Sequence, residues 1–202
     1  MQESFAGNWD RQSHLSVEHL NSVRGLNRRF LDLAGKGLVL PGLGMQLAPL
    51  SPAQRAAAAN CPYALFDLRF ADDAYWRSRL QMLGAWRIAD EPRADADTVD
   101  FVRLALFYTW HVASGAGLTA HLLLGMHNHT AEALRRVAVD ALPDLALSEA
   151  ANLSARWSSC NAYWTALISA AGRPDPAALR RVQLSGLQLA AATQLPSEPR
   201  EV

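Results

Sequence analysis

The chain has 202 residues, half of them apolar, 19% charged and 8% aromatic, with nineteen Lys and Arg balancing nineteen Asp and Glu. This composition excludes a disordered chain, a collagen-like repeat and a disulfide scaffold, and the zero net charge argues against broad, sequence-independent binding to phosphate backbones. The length suits one globular domain, or two small ones sharing a core, that buries about 70% of the surface its unfolded form exposes.

Ala and Leu together make up about a third of the chain, a helix-favouring bias. In chain order, residues 1–14 are polar and read as a loose arm, with Phe5 and Trp9 able to dock on the body. From Ser16, the residues Leu20, Val23, Leu26, Phe30 and Leu33 recur at spacings of three and four, one face of a helix that ends near Gly35 and Gly37. Residues 37–50 are apolar but interrupted by glycine and proline, and read as an ordered, buried connector. Ser51, Pro52 and Gln54 then carry a helix start: a capping serine, a proline at the first helical position and a glutamine that reaches back. That helix is closed by Cys61-Pro62, because the residue before proline avoids helical dihedrals.

Residues 63–70 read as a short strand or an extended run, and Asp72 caps a helix carrying Tyr75, Trp76, Leu80, Leu83 and Trp86. The charged residues 90–97 mark the boundary between an N-terminal half (15–89) and a C-terminal half (98–195) that share one core. Beyond it, Asp97 or Thr98 starts a long apolar segment that Gly115 and Gly117 split into two helices. Thr130 is expected to cap a helix over 131–140, and Pro143 to open a short one. Residues 161–171 form a helix ending at Gly172, Pro176 starts a last amphipathic helix, and 196–202 form a frayed tail. The sum is an all-α protein, a compact multi-helix bundle of about eight or nine helices around a central buried helical hairpin.

Residues 104–126 contain no Asp, Glu, Lys or Arg, long enough for a membrane span. His111, His121, the Gly-Ala-Gly break and the lack of a basic flank favour a buried hairpin instead, so no membrane contact is expected. His111, His121, His127 and His129 fall within nineteen residues and are the candidate metal ligands. Their spacing matches no ligand motif, so neither a metal nor a cofactor is expected. No nucleophile elbow, dinucleotide loop or phosphate loop occurs, and the scattered Asp residues fit caps and turns. Trp86 and Trp157, beside Arg87 and Arg156, are candidates for a groove or partner surface. Paired arginines such as Arg28-Arg29, Arg135-Arg136 and Arg180-Arg181 leave DNA contact through a local patch open, although the net charge does not support it. Cys61 and Cys160 read as reduced thiols, and the N-terminus lacks a secretory pattern, so a cytoplasmic location is expected.

Three stretches taken together, LNRRFLDLA (26–34) followed by LGMQLAPL, LSPAQRAAAA (50–59) and LFDLRF (65–70), resemble the flagellar transcriptional regulator FlhD family. The likeness lies in an opening amphipathic helix, an LxxxQ-type capped helix and a closing F-x-RF-like segment, and covers residues 20–72. It implies a helical dimer that acts with a partner subunit on promoter DNA; no site residue carries across. The expectation is therefore a non-enzymatic helical protein working through protein–protein contacts, a transcriptional regulator or its accessory subunit, as a homodimer or with a protein partner. Its interface is expected on Leu20, Val23, Leu26, Phe30, Leu33, Trp76 and Trp86. The alternative is a helical small-molecule-binding protein or enzyme with a pocket near Trp110, His111, His121 and Trp164.

Overall fold

The computed structural model describes residues 16–37, 41–82, 94–115 and 117–192. Local chemistry sets most helix starts. Ser16 accepts from the His19 N–H to cap α1 (Val17–Gly35), and Ser51 and Gln54 form a reciprocal capping box on α3 (Pro52–Ala58). Asp72 caps α4 (Asp73–Gln81) through the Tyr75 N–H, and Asp95 caps α5 (Ala96–Ser114) through that of Thr98, two to three residues earlier than the sequence suggests. Pro143 sits in the first turn of α8 (Leu142–Glu149). The remaining helices are α2 (Pro41–Leu47), α6 (Gly117–Leu124), α7 (Asn128–Leu134), α9 (Asn161–Ala171) and α10 (Pro176–Ala192). The all-α expectation holds, with ten α-helices among the described residues and one two-stranded pairing.

Two expectations change. The connector after α1 contains α2, which lies so close to α1 that a Cβ on Gly44 would sit 2.7 Å from the Ala34 carbonyl oxygen. Thr130 does not cap a helix: it lies inside α7, and its hydroxyl and N–H both donate to Asp73 Oδ1, tying α7 to the start of α4. The chain after α7 then passes through a 3-10 turn into α8 instead of extending one helix to residue 140.

The hairpin of α5 and α6 stands at the centre, where α5 packs on α1, α6, α7 and α8. One apolar core draws on both sides of residues 90–97, from Val23 and Phe30 to Leu145 and Leu167. No helix among the described residues is long and apolar enough to cross a membrane.

Through this core runs a stretch that is not helical. Cys61, Tyr63, Ala64, Leu65, Phe66, Leu68 and Phe70 are all fully buried. A buried backbone must find hydrogen-bond partners, and here they come from five places. β1 (Phe66–Asp67) pairs antiparallel with β2 (Ser154–Ala155), and the Arg156 N–H donates to the Leu65 carbonyl. The Ala64 N–H donates to Leu123 O at 2.7 Å, the His127 N–H to Phe70 O, and the Trp76 indole to the carbonyls of Leu68 and Arg69. Asn27, buried on α1, donates to Tyr63 O at 2.8 Å and Ala59 O at 3.3 Å while accepting from the Leu65 N–H at 2.8 Å.

Asn27→Ala leaves these three backbone groups buried without a partner, and should lower the unfolding free energy by about 2–4 kcal/mol. Urea denaturation measures this; a loss under about 1 kcal/mol would show that the segment is anchored without α1.

Candidate functional site

The four clustered histidines do not converge. His111 is exposed on α5 beside His19, with ring centroids 5.8 Å apart, and His121 Nδ1 bonds the Met126 carbonyl at 2.9 Å. His127 Nδ1 lies 3.4 Å from Asp73, and His129 is exposed. Among the described residues no three His, Cys, Asp or Glu side chains could hold a metal together. Of Trp110, His111, His121 and Trp164, only Trp164 lines the cleft beside α9. The Trp110 indole donates to Val137 O, whereas Trp164 donates to Arg156 O and lines that cleft. That cleft, of about 490 Å³, lies between α2 and α9, with Leu43, Gln46, Ser158, Asn161 and Thr165 in its walls and no charged side chain among those that line it.

The apolar face of α1 is occupied by the chain's own core. Val23, Leu26, Phe30 and Leu33 are buried, and Leu20 packs against them. Trp76 is fully buried under Phe70 and Tyr75. These positions are core, so the surface expected there is not available to a partner in this fold. Trp86 and Arg87 lie outside the described residues.

Three groups with chemical potential, Glu149, Arg156 and Cys61, are enclosed by neighbours. The fully buried Glu149 carboxylate accepts from the Arg79 guanidinium, the Tyr75 hydroxyl and the Asn152 amide, closing α4 onto α8. Arg156 is buried, stacked on Trp157 with its guanidinium 4.6 Å from the ring centroid, and donates to Leu123 O at the end of α6; burial pulls it down to about 10. Gly125, at φ +70°, gives the guanidinium its space, since a Cβ there would collide with it. Cys61 is buried with its thiol beside two phenols, and burial pushes it up to about 11, so it is protonated at neutral pH and no nucleophile.

Those phenols, Tyr63 and Tyr163, seat the last helix. Tyr63 donates to Gln183 O at 2.8 Å, which leaves Tyr163 as donor in the 2.9 Å bond between the two hydroxyls. Burial raises both above the usual tyrosine range. Trp157 wedges between their rings, with centroids 5.4 and 5.3 Å away. Gly186 lies directly on Tyr63, where an added Cβ would overlap the hydroxyl. Nothing in the sequence pairs tyrosines a hundred residues apart; the one local signal is a glycine inside an otherwise good helix.

With this inner side fixed, the outer face of α10 is left to solvent. Leu184 and Leu187 are 55% and 41% exposed, Arg180 and Ala191 are exposed on the same strip, and Arg181 is exposed beside it. Two leucines one turn apart on a charged-edged strip suit the docking of another protein.

Gly186→Ala should destabilise by about 1–3 kcal/mol through overpacking, although alanine is the better helix former by about 1 kcal/mol. In a Tyr63→Leu background, which removes the far end of the ring, much of that loss should disappear; additive losses in thermal unfolding would show that α10 is not seated there. A second expectation concerns pH. The Cys61 thiol ionises near its ordinary 9.0 when unfolded and only near 11 when folded. Its protonated form therefore contributes fully below pH 9, and the contribution is lost as pH rises toward 11, by about 2–3 kcal/mol in all. The stability advantage of the wild type over Cys61→Ala should shrink across that interval in urea titrations; a constant difference would contradict a sealed thiol.

Compared with known proteins, the chain matches no family model, no curated protein and no solved structure.

Proposed function

We propose that this chain is a non-enzymatic helical protein that acts by contact with another protein, through the outer face of α10. The observation that carries this reading is the pair of exposed leucines, Leu184 and Leu187, on a helix whose opposite face is fixed to the body through Gly186 and Tyr63. A rigidly held apolar strip costs little ordering on docking, which favours binding. The engagement of Glu149, Asp73 and Cys61 in buried or helix-joining contacts supports binding over turnover. The resemblance of residues 20–72 to FlhD-type regulators is the link to transcription regulation, as a regulator or accessory subunit; DNA contact is no part of the reading.

The test is a tagged chain recovered from its native cells, compared with Leu184→Glu/Leu187→Glu. The wild type should retain one or more proteins in near-stoichiometric amount, an untagged copy of itself included, and the double variant should lose them while keeping its far-UV circular dichroism and melting transition. Retention of the same set by the variant would overturn the reading.

A further inference from the structure

We propose that the cleft between α2 and α9 binds a small uncharged molecule rich in hydroxyl groups, of the size of a mono- or disaccharide. The inference does not rest on the reading of α10. At about 490 Å³ the cleft falls within the roughly 300–1,000 Å³ of small-molecule sites. Each helix gives it one stripe. Gly42 and Gln46 lie one turn apart on α2, Asn161 and Thr165 lie one turn apart on α9, and Ser158 from the preceding turn extends the second stripe. Neighbouring helices ordinarily close on each other through apolar side chains, whereas these stripes present amides, hydroxyls and a glycine. The side chains of Gln46, Ser158, Asn161 and Thr165 make no hydrogen bond among the described residues, and no charged side chain joins them in the lining.

The protein itself has no need of a glycine at 42. The backbone there is not left-handed, and an added Cβ would meet no atom within 4 Å. Gly44 is the contrast, since its closeness to the Ala34 carbonyl excludes any side chain. Glycine is a poor helix former, and at 42 it leaves an uncovered stretch of backbone on the cleft that a ligand can approach closely. The walls are fixed beforehand. Gly44 lets α2 lie against α1, the Trp164 indole donates to Arg156 O, and Trp157 holds a left-handed backbone (φ +55°) immediately before Ser158. A bulky residue takes that conformation only where its surroundings impose it, and Tyr63 and Tyr163 pack on its ring. Binding between such walls needs little ordering.

The lining also selects the ligand. Amide and hydroxyl side chains both donate and accept hydrogen bonds, and so does each hydroxyl of a sugar. A charged ligand would meet no counter-charge, and an aliphatic or aromatic one would strip water from four polar side chains and leave them unpaired. A neutral sugar pairs them, with Leu43 and Ala155 as apolar contacts for its C–H groups.

Nitrogen–proton correlation NMR of the full chain tests this, because the side-chain amides of Gln46 and Asn161 report from the cleft directly. Glucose, galactose and maltose are titrated to millimolar concentration, with glucuronate and galacturonate as charged counterparts. At least one neutral sugar should shift both amide signals saturably, and neither uronate should bind as tightly as the best neutral sugar. Gly42→Leu, which places a side chain at the cleft wall, should abolish the shifts while the melting temperature stays or rises. Asn161→Ala/Thr165→Val, both exposed positions, should raise the dissociation constant at least about fivefold, read from backbone amide signals. No shift with any neutral sugar overturns the inference, as does binding that survives these substitutions unchanged. A uronate that binds as tightly as the best neutral sugar overturns the assignment of an uncharged ligand.

Discussion

An extended stretch of chain through the middle of a helical protein carries a demand that helices do not: its amides and carbonyls cannot satisfy one another. In this fold the demand falls on residues 61–70, and the surrounding helices are arranged around meeting it. Asn27 turns α1 into a partner for three backbone groups, the end of α6 supplies the Leu123 carbonyl, and the two-residue β2 supplies a strand ladder. An unsatisfied buried amide costs about 1–3 kcal/mol, comparable to a sizeable share of a domain's stability. The side chains of the same stretch, Tyr63, Leu65, Phe66, Leu68 and Phe70, fill the space between the helices. One segment therefore sets both the polar and the apolar accounts of the core.

The helices themselves were largely legible in the sequence, because their signals are local. Ser51 with Gln54, Asp72, Pro143, Gly172 and Pro176 each act on neighbours within one turn, and each marks a boundary where the structure has one. The reading failed where a distant side chain competed. Thr130 has the chemistry of a cap, yet Asp73 on another helix takes its hydroxyl. The α1 stripe was legible as a hydrophobic face, but periodicity says only that a face is covered, not whether by the same chain or another. Here α5 and the 61–70 segment of the same chain cover it.

On α10 the same limit works in reverse. Leu179, Val182 and Leu189 pack inward around Gly186, while Leu184 and Leu187 of the same helix point outward. A glycine against a tyrosine hydroxyl fixes the helix's rotation, and rotation decides which leucines meet solvent. The candidate surface is thus set from beneath, by Tyr63 and Tyr163, neither of which reaches it.

The pairing of β1 with β2 also bears on how the chain is made. Phe66 cannot meet Ala155 until about ninety further residues have been synthesised, which at about 5–20 residues per second takes roughly 5–20 s. Throughout that interval the ribosome presents CPYALFDLRF without its strand partner, its Leu123 carbonyl or the helices that cover it. Helices α1, α3 and α4 can form early, but the middle of the protein closes only when its C-terminal half arrives. Nascent chains of this protein pass through a stage in which this buried, aromatic-rich segment is uncovered, the kind of segment that general chaperones bind.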